Sequence, residues 1–135
     1  MTAPDEAMMA PVCAIADFMA TLDDNLVVDC FTVDVVIVEN FAPYIFRGSD
    51  AVARWRAGFH AHAATLSGMA VTFGTAQDFS SDGETAYFVL PTLWRGRSGG
   101  VPFEEDGGWA FVLKNEGQRW RVACYAWAVT AIRRV

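Results

Sequence analysis

The chain has 135 residues, a mass of 14.8 kDa, a hydrophobic fraction of 53% and a formal net charge of −6. This length is typical of one domain, so we expect a single domain over residues 1–135. Only ten residues are basic and the pI is about 4.7, which argues against nucleic acid and anionic membranes as partners, because both require clustered Lys or Arg.

The cysteines and the first residues restrict the class further. Cys13, Cys30 and Cys124 are too widely spaced for a zinc site or a disulfide framework, so we expect buried free thiols and no metal or cofactor. The acidic start lacks the basic segment of a secretory signal, and no apolar run reaches the ~18 residues of a membrane helix. These features predict a cytoplasmic protein that does not enter membranes.

The first forty residues predict two helices and a strand. Residues 1–10 are expected to form a loose arm or a short extra turn, and Pro11 to begin a helix whose apolar positions recur at helical spacing as far as Leu22. A short helix is predicted over residues 26–31. The β-branched run over residues 32–40 then predicts a strand that is covered on both faces.

The middle of the chain predicts a return strand and a third helix. Pro43 marks a turn before a short strand that ends at Arg47. Ser49 is expected to cap the third helix, and Ser67-Gly68 to end it. The apolar face of this helix carries Val52, Trp55, Phe59, His62 and Leu66.

The second half predicts a long meander of strands. Alternation predicts strands over residues 69–79, 85–94 and 119–129, and another over residues 101–114 that is interrupted at residues 104–108. Pro91 marks a bulge or an unpaired edge inside its strand. Helices that precede a meander predict an α+β fold, in which a strongly curved antiparallel sheet wraps the N-terminal helices.

Four segments resemble the NTF2-like superfamily, in particular its SnoaL-like and ketosteroid-isomerase-like bacterial members. They are residues 31–40, residues 44–51, residues 81–86 and the hairpin that contains Gly108-Trp109 and Trp120-Arg121-Val122. The resemblance spans nearly the whole chain. It implies a cone-shaped, cystatin-like fold with an apolar pocket, usually in a homodimer. It leaves the function open, since similar domains isomerise, cyclise, dehydrate or hydrolyse small molecules, or only bind and dimerise.

The isomerase-like members use a tyrosine, an aspartate base and a protonated aspartic acid. Carried over by the resemblance, these positions fall on Phe18, Asn40 and either Gly108 or Trp109. Phenylalanine cannot donate a hydrogen bond, and an asparagine amide is not a general base at neutral pH. We therefore expect no ketosteroid isomerase activity of that type.

The polar candidates for a site have two interpretations each. His60 and His62 lie on different faces of a helix and cannot share a metal ion. His62 could act as an acid or base, or be a partly buried histidine bonded to a carbonyl. Asn40 and Tyr44 could orient a ligand, or serve the turn that they flank. The run at residues 104–106 could include a general acid, but is more typical of a solvated loop.

Five Trp and ten Phe provide aromatic side chains for a flat apolar ligand, although any one of them could be plain core. The candidate ligand-binding residues are Phe18, Asn40, Tyr44, Trp55, Phe59, Trp94, Trp109 and Phe111, and the candidate catalytic residues are His62 and Asn40. Two functions remain open. One is cofactor-free acid–base chemistry of isomerase, cyclase or dehydratase type on a small apolar or polycyclic molecule, and the other is a non-catalytic dimerisation or ligand-sequestering module.

Overall fold

The computed structural model describes residues 2–135, which form two α-helices, a 3₁₀ turn and one curved seven-stranded sheet. The α+β architecture predicted from the sequence is confirmed. In that part of the chain, no helix is both long and apolar enough to cross a membrane. The elements are α1 (Glu6–Thr21), the 3₁₀ turn (Asp24–Val27), β1 (Phe31–Val38), β2 (Ile45–Phe46), α2 (Ala51–His62), β3 (Leu66–Phe73), β4 (Gln77–Ser81), β5 (Thr85–Ser98), β6 (Val101–Glu116) and β7 (Arg119–Arg134).

The strands follow the order β2-β1-β7-β6-β5-β3, and β4 pairs with β5 beside β3. Every neighbouring pair is antiparallel except β1 and β7, which run parallel with Ile37 opposite Tyr125. The sheet is therefore mixed. The parallel pair arises because β1 joins β7 through a long crossover that contains α2 and the meander, whereas a hairpin would make the two strands antiparallel.

Helix α1 begins earlier than the sequence pattern predicts. The Asp5 carboxylate caps it by accepting a hydrogen bond from the Met8 N–H at 2.9 Å. Pro11 lies inside the helix, where its missing N–H removes one backbone bond from the second turn. The helix start predicted at Pro11 is therefore wrong, and the segment from Glu6, expected to be a loose arm or a short extra turn, is the first part of α1. The helix ends where Leu22 adopts the left-handed conformation with φ 61°.

The segments between the helices and β5 also differ from the prediction. The short helix expected over residues 26–31 is a 3₁₀ turn that ends at Val27. The predicted Ser49 cap is wrong, because the N-cap position of α2 is Asp50, whose side chain makes no capping bond and pairs with Arg54 at 3.1 Å. Helix α2 ends at His62, so Ser67 and Gly68 lie in β3.

A break at residues 74–76 divides the predicted strand 69–79 into β3 and β4. Pro91 lies opposite this break, and its carbonyl accepts a hydrogen bond from the Gly74 N–H at 2.7 Å. In an antiparallel sheet, the backbone N and O atoms of one residue point toward the same neighbouring strand, so the Pro91 nitrogen also faces the break. The missing N–H therefore interrupts no regular ladder, and Pro91 stays paired with Gly108 on its other side.

The interruption predicted at residues 104–108 is wrong, because β6 is continuous from Val101 to Glu116. Arginine side chains of the neighbouring strands form ion pairs with two of its carboxylates. Glu104 lies 2.5 Å from Arg95 and 3.1 Å from Arg133, and Arg133 also bonds to Asp106. Cross-strand ion pairs of this kind stabilise a sheet, so the acidic run extends the strand where a loop was expected.

The core lies between the helices and the inner, concave face of the sheet. Trp55 of α2 is fully buried at its centre, with ring centroids 5.1 Å from Phe18 and 5.3 Å from Phe31. A bulge at Ala123 places both Val122 and Tyr125 in this core, which shifts the alternation predicted for β7. All three cysteines are free thiols. Cys30 is buried as expected, whereas Cys13 is exposed.

Candidate functional site

A cavity of about 500 Å³ opens between the inner face of the sheet and the C-terminal ends of both helices. Its wall is mostly aromatic and aliphatic, with a small number of polar groups, as is usual for sites that bind small molecules. The lining residues are Met19, Glu39, Asn40, Phe41, Phe59, His62, Thr65, Leu66, Met69, Trp94, Ser98, Val101, Phe103, Glu105, Trp109, Trp127, Ile132 and Arg134.

The structure brings five of the predicted site residues to this wall and places four elsewhere. Those on the wall are Asn40, Phe59, His62, Trp94 and Trp109. Phe18, Trp55 and Phe111 are fully buried in the core, where other side chains cover them. Tyr44 is 58% exposed at the protein surface, away from the cavity wall. Those four positions therefore do not present a side chain to the cavity.

The most unusual group on the wall is the carboxylate of Glu39, whose side chain is only 5% exposed. Glu39 follows β1 and continues its inward alternation after Val35 and Ile37. The Trp55 indole Nε1–H donates a hydrogen bond to Oε2 at 3.0 Å, and the Tyr125 hydroxyl donates a second one to the same oxygen. Two donors on Oε2 hold the carboxylate in one orientation and leave Oε1 free of both.

Burial raises the pKa of Glu39 to about 7, because the charged form is poorly solvated in the core. The hydrogen bonds from Trp55 and Tyr125 partly oppose this shift, and the nearby charge of Glu105 adds to it. Burial and the Glu39 charge raise the pKa of Tyr125 well above its usual value, so the phenol remains a donor. Near neutral pH, Glu39 therefore exists in both protonated and ionised forms, as suits a group that transfers protons.

A second carboxylate, that of Glu105 in β6, lies on the same wall. Glu105 and Trp109 are on the same face of this strand, because side chains alternate between the two faces. Burial raises its pKa, and the adjacent Trp127 indole partly offsets the shift. Trp127 can lie across β6 because residue 107 is glycine. A Cβ there would stand 2.3 Å from the Trp127 ring and 2.5 Å from the Ala128 carbonyl oxygen, so any side chain would displace the ring or the backbone.

His62 lies at the mouth of the cavity and stacks on Phe41, with ring centroids 4.9 Å apart and planes 22° apart. Burial lowers its pKa, so the imidazole is neutral at pH 7 and can donate and accept hydrogen bonds. His60 turns away and bonds to Asp24 at 2.8 Å. Among residues 2–135, no group of three His, Cys, Asp or Glu side chains could hold a metal ion.

The sequence argument did not identify Glu39, and it considered Glu105 only as part of the acidic run at residues 104–106. It assigned the base position to Asn40, whereas the buried carboxylate belongs to the preceding residue, Glu39. Alternation along β1 from Val35 places Glu39 on the inner face. If residues 104–108 are assigned to a strand, the same alternation places Glu105 on the inner face with Trp109.

The indole Nε1–H of Trp109 is also notable. Trp109 is 1% exposed, and this N–H has no hydrogen-bond acceptor among the described residues. Its ring packs against Tyr125 at 5.5 Å and Trp127 at 5.9 Å. A buried donor without an acceptor is costly, so this N–H is a local cost of the aromatic packing around it.

No protein-family model and no curated protein matches this chain. Solved structures do. A hexachlorocyclohexane dehydrochlorinase (LinA, type 2) has a TM-score of 0.81 at 5% identity, over 96% of this chain and 86% of that one. A proposed aromatic ring hydroxylase from Novosphingobium aromaticivorans has a TM-score of 0.77 at 20% identity, over 99% and 96% of the two chains. A proposed ketosteroid isomerase from Shewanella frigidimarina has a TM-score of 0.72 at 17% identity, over 92% and 96%.

At these identities the likeness establishes the fold and carries no particular activity. The neighbours are all members of one superfamily, the one that the sequence segments resemble. Two helices packed on a curved, unclosed mixed sheet are consistent with this architecture. The chain therefore has the NTF2-like fold.

Proposed function

We propose that this protein binds a small, largely apolar molecule in the cavity and that Glu39 transfers a proton to or from it without a cofactor. The observation that carries this proposal is a buried carboxylate with a pKa of about 7 in an aromatic cavity wall. Two hydrogen bonds fix its orientation, which is the preorganisation that acid–base catalysis requires.

In this reaction the ionised Glu39 removes a proton from a carbon atom of the bound molecule. A desolvated carboxylate is a stronger base than one in water, because it lacks stabilising hydration. The protonated Glu39 can then return the proton to another atom, which is isomerisation, or a leaving group can depart, which is elimination or dehydration. Dehydrochlorination and ketosteroid isomerisation, named for two of the structural neighbours, are reactions that begin with proton removal from carbon.

Asn40 and His62 would have supporting roles. Both lie on the cavity wall beside Phe41. The amide of Asn40 and the neutral imidazole of His62 each supply a hydrogen-bond donor for a carbonyl or hydroxyl oxygen of the ligand. A donor placed where negative charge develops stabilises the transition state, so these residues would orient the ligand against Glu39.

The proposal can be tested with 5-nitrobenzisoxazole, which reports a desolvated base. A carboxylate takes the proton on C3, the ring N–O bond breaks, and 2-cyano-4-nitrophenolate forms with no other reactant. We expect saturable ring opening, with kcat/KM that rises with pH through about 7, because only the ionised form of Glu39 is a base. The phenolate absorbance measures the rate. Saturable binding of the probe without turnover would instead support the ligand-sequestering module.

We also propose that two copies of the chain pair through the outer face of the sheet. Both helices pack on the other face, and the register aligns two apolar rows across four strands. The rows are Tyr87, Val112, Cys124 and Val36, and Val89, Ala110, Ala126 and Val38. An apolar surface of this extent is characteristic of an interface, and a second copy presents the same surface.

Sedimentation at micromolar concentration tests the pairing. We expect a species of twice 14.8 kDa. Val112→Lys, in the centre of the outer face, should shift the protein to monomer without loss of secondary structure, because a charge cannot be desolvated between two apolar surfaces. A wild-type protein that sediments as a monomer would contradict the pairing.

A further inference from the structure

Glu105 is not used by the proton transfer assigned to Glu39. Its side chain is partly buried on an apolar wall, and no Lys or Arg among the described residues forms an ion pair with it. Its neighbours Glu104 and Asp106 point to the other face, where Arg95 and Arg133 compensate them. A carboxylate placed against apolar side chains without a positive partner destabilises the protein. The missing partner is therefore expected on a ligand.

The surfaces around Glu105 also favour a positive ligand. Trp94, Trp109 and Trp127 all line the cavity, and indole rings attract cations through the negative potential of their faces. Arg134, which is exposed at the end of β7, is the positively charged residue on this wall. His62 also lines the cavity, but its imidazole is neutral at pH 7 because burial lowers its pKa. Two carboxylates and three indoles line the cavity with one peripheral guanidinium, a set of groups that favours a cationic ligand.

We propose that the natural ligand is an organic ammonium compound, whose cationic nitrogen lies against Glu105 and the tryptophan faces while its carbon skeleton extends to Glu39. This inference rests on the proposed function, because it requires the cavity to be the ligand site. An amine of one or two rings fits these groups and the volume of about 500 Å³.

Three probes of one shape and different charge test the inference: 1-naphthylmethylamine, 1-naphthylmethanol and 1-naphthoic acid. At pH 7 they are a cation, a neutral molecule and an anion. We expect titration calorimetry to give a Kd for the amine about tenfold lower than for the alcohol, since one charge-assisted contact amounts to a factor of this order. The acid should bind more weakly than the alcohol, because two carboxylates on the wall repel it.

Glu105→Gln separates this inference from the proposed function. The variant keeps the shape of the side chain and removes its charge, so we expect the Kd of the amine to rise to that of the alcohol, while the alcohol binds unchanged. Glu84→Gln is the matched control, because it removes one negative charge from an exposed turn far from the cavity and should leave the preference intact.

Each result has a distinct meaning. Equal affinities for the amine and the alcohol would overturn the cation inference and leave the ligand cavity in place. An amine preference that persists in Glu105→Gln would show that Glu105 is not the anchor. Failure of all three probes to bind, together with no turnover of 5-nitrobenzisoxazole, would overturn both this inference and the proposed function.

Discussion

Replacing Glu39 with glutamine is expected to lower kcat/KM for 5-nitrobenzisoxazole by ~10²–10⁴-fold, the usual contribution of a positioned general base. Glutamine has nearly the same shape, and its amide oxygen can still accept the hydrogen bonds from Trp55 and Tyr125. The loss should therefore appear in the rate while the fold is retained. Glu84→Gln, which changes the net charge equally, serves as the control and should keep the wild-type rate.

The same substitution should change the dependence of stability on pH. The folded pKa of Glu39 is about 7 and its ordinary value is 4.5, so the folded protein binds this proton more tightly than the unfolded chain. The free energy of unfolding therefore falls as pH rises from 4.5 through about 7, by roughly 3 kcal/mol in total. Glu39→Gln lacks this titration, and we expect it to be more stable than the wild type at about pH 8.

Urea denaturation of both proteins at pH 5 and pH 8 measures this effect. Other groups also titrate in this range: the raised pKa of Glu105 acts in the same direction, and the lowered pKa of His62 in the opposite one. Because both proteins contain these groups, the difference between them at each pH isolates Glu39. A difference in stability that stays constant from pH 5 to pH 8 would show that the Glu39 carboxylate is not desolvated.

Truncating Trp55 to alanine is expected to destabilise the protein by ~3–5 kcal/mol, the usual cost of removing a buried tryptophan. Trp55 is fully buried and packs against Phe18, Phe31 and Tyr125. Its removal leaves a cavity at the centre of the core and also takes away one of the two hydrogen bonds to Glu39. The free energy of unfolding from urea titration is the measurement.

Trp55→Phe is the matched variant, because it keeps an aromatic ring in the core and removes the indole N–H. We expect a loss smaller than that of the alanine variant, since most of the buried volume remains. The pKa of Glu39 should also rise further, since one of the donors that favours its charged form is gone. A free energy of unfolding that is unchanged in Trp55→Ala would place this side chain outside the core.

The sequence alone determined the elements of the fold and the residue pattern that resembles the NTF2-like superfamily. The apolar stripe of α1, the β-branched run of β1 and the hairpin turn before Arg119 are local signals, because backbone hydrogen bonding and side-chain periodicity depend on near neighbours. The central position of Trp55 on the apolar face of α2 followed from the same periodicity. Element boundaries were less accurate. The prediction started α1 at Pro11 although Asp5 is a local N-cap, and the cross-strand ion pairs of Glu104 overrode the loop preference of the acidic run.

Only the tertiary structure decided which side chains meet. The parallel pairing of β1 with β7 places Tyr125 beside Glu39, although 85 residues separate them in the chain. The packing of the helices on the sheet decided that Phe18, Trp55 and Phe111 fill the core, whereas Trp94 and Trp109 line the cavity. Burial, and with it the raised pKa of Glu39, is a property of the assembled environment. A carboxylate at the end of a strand shows no such shift until the helices and the sheet exclude water from around it.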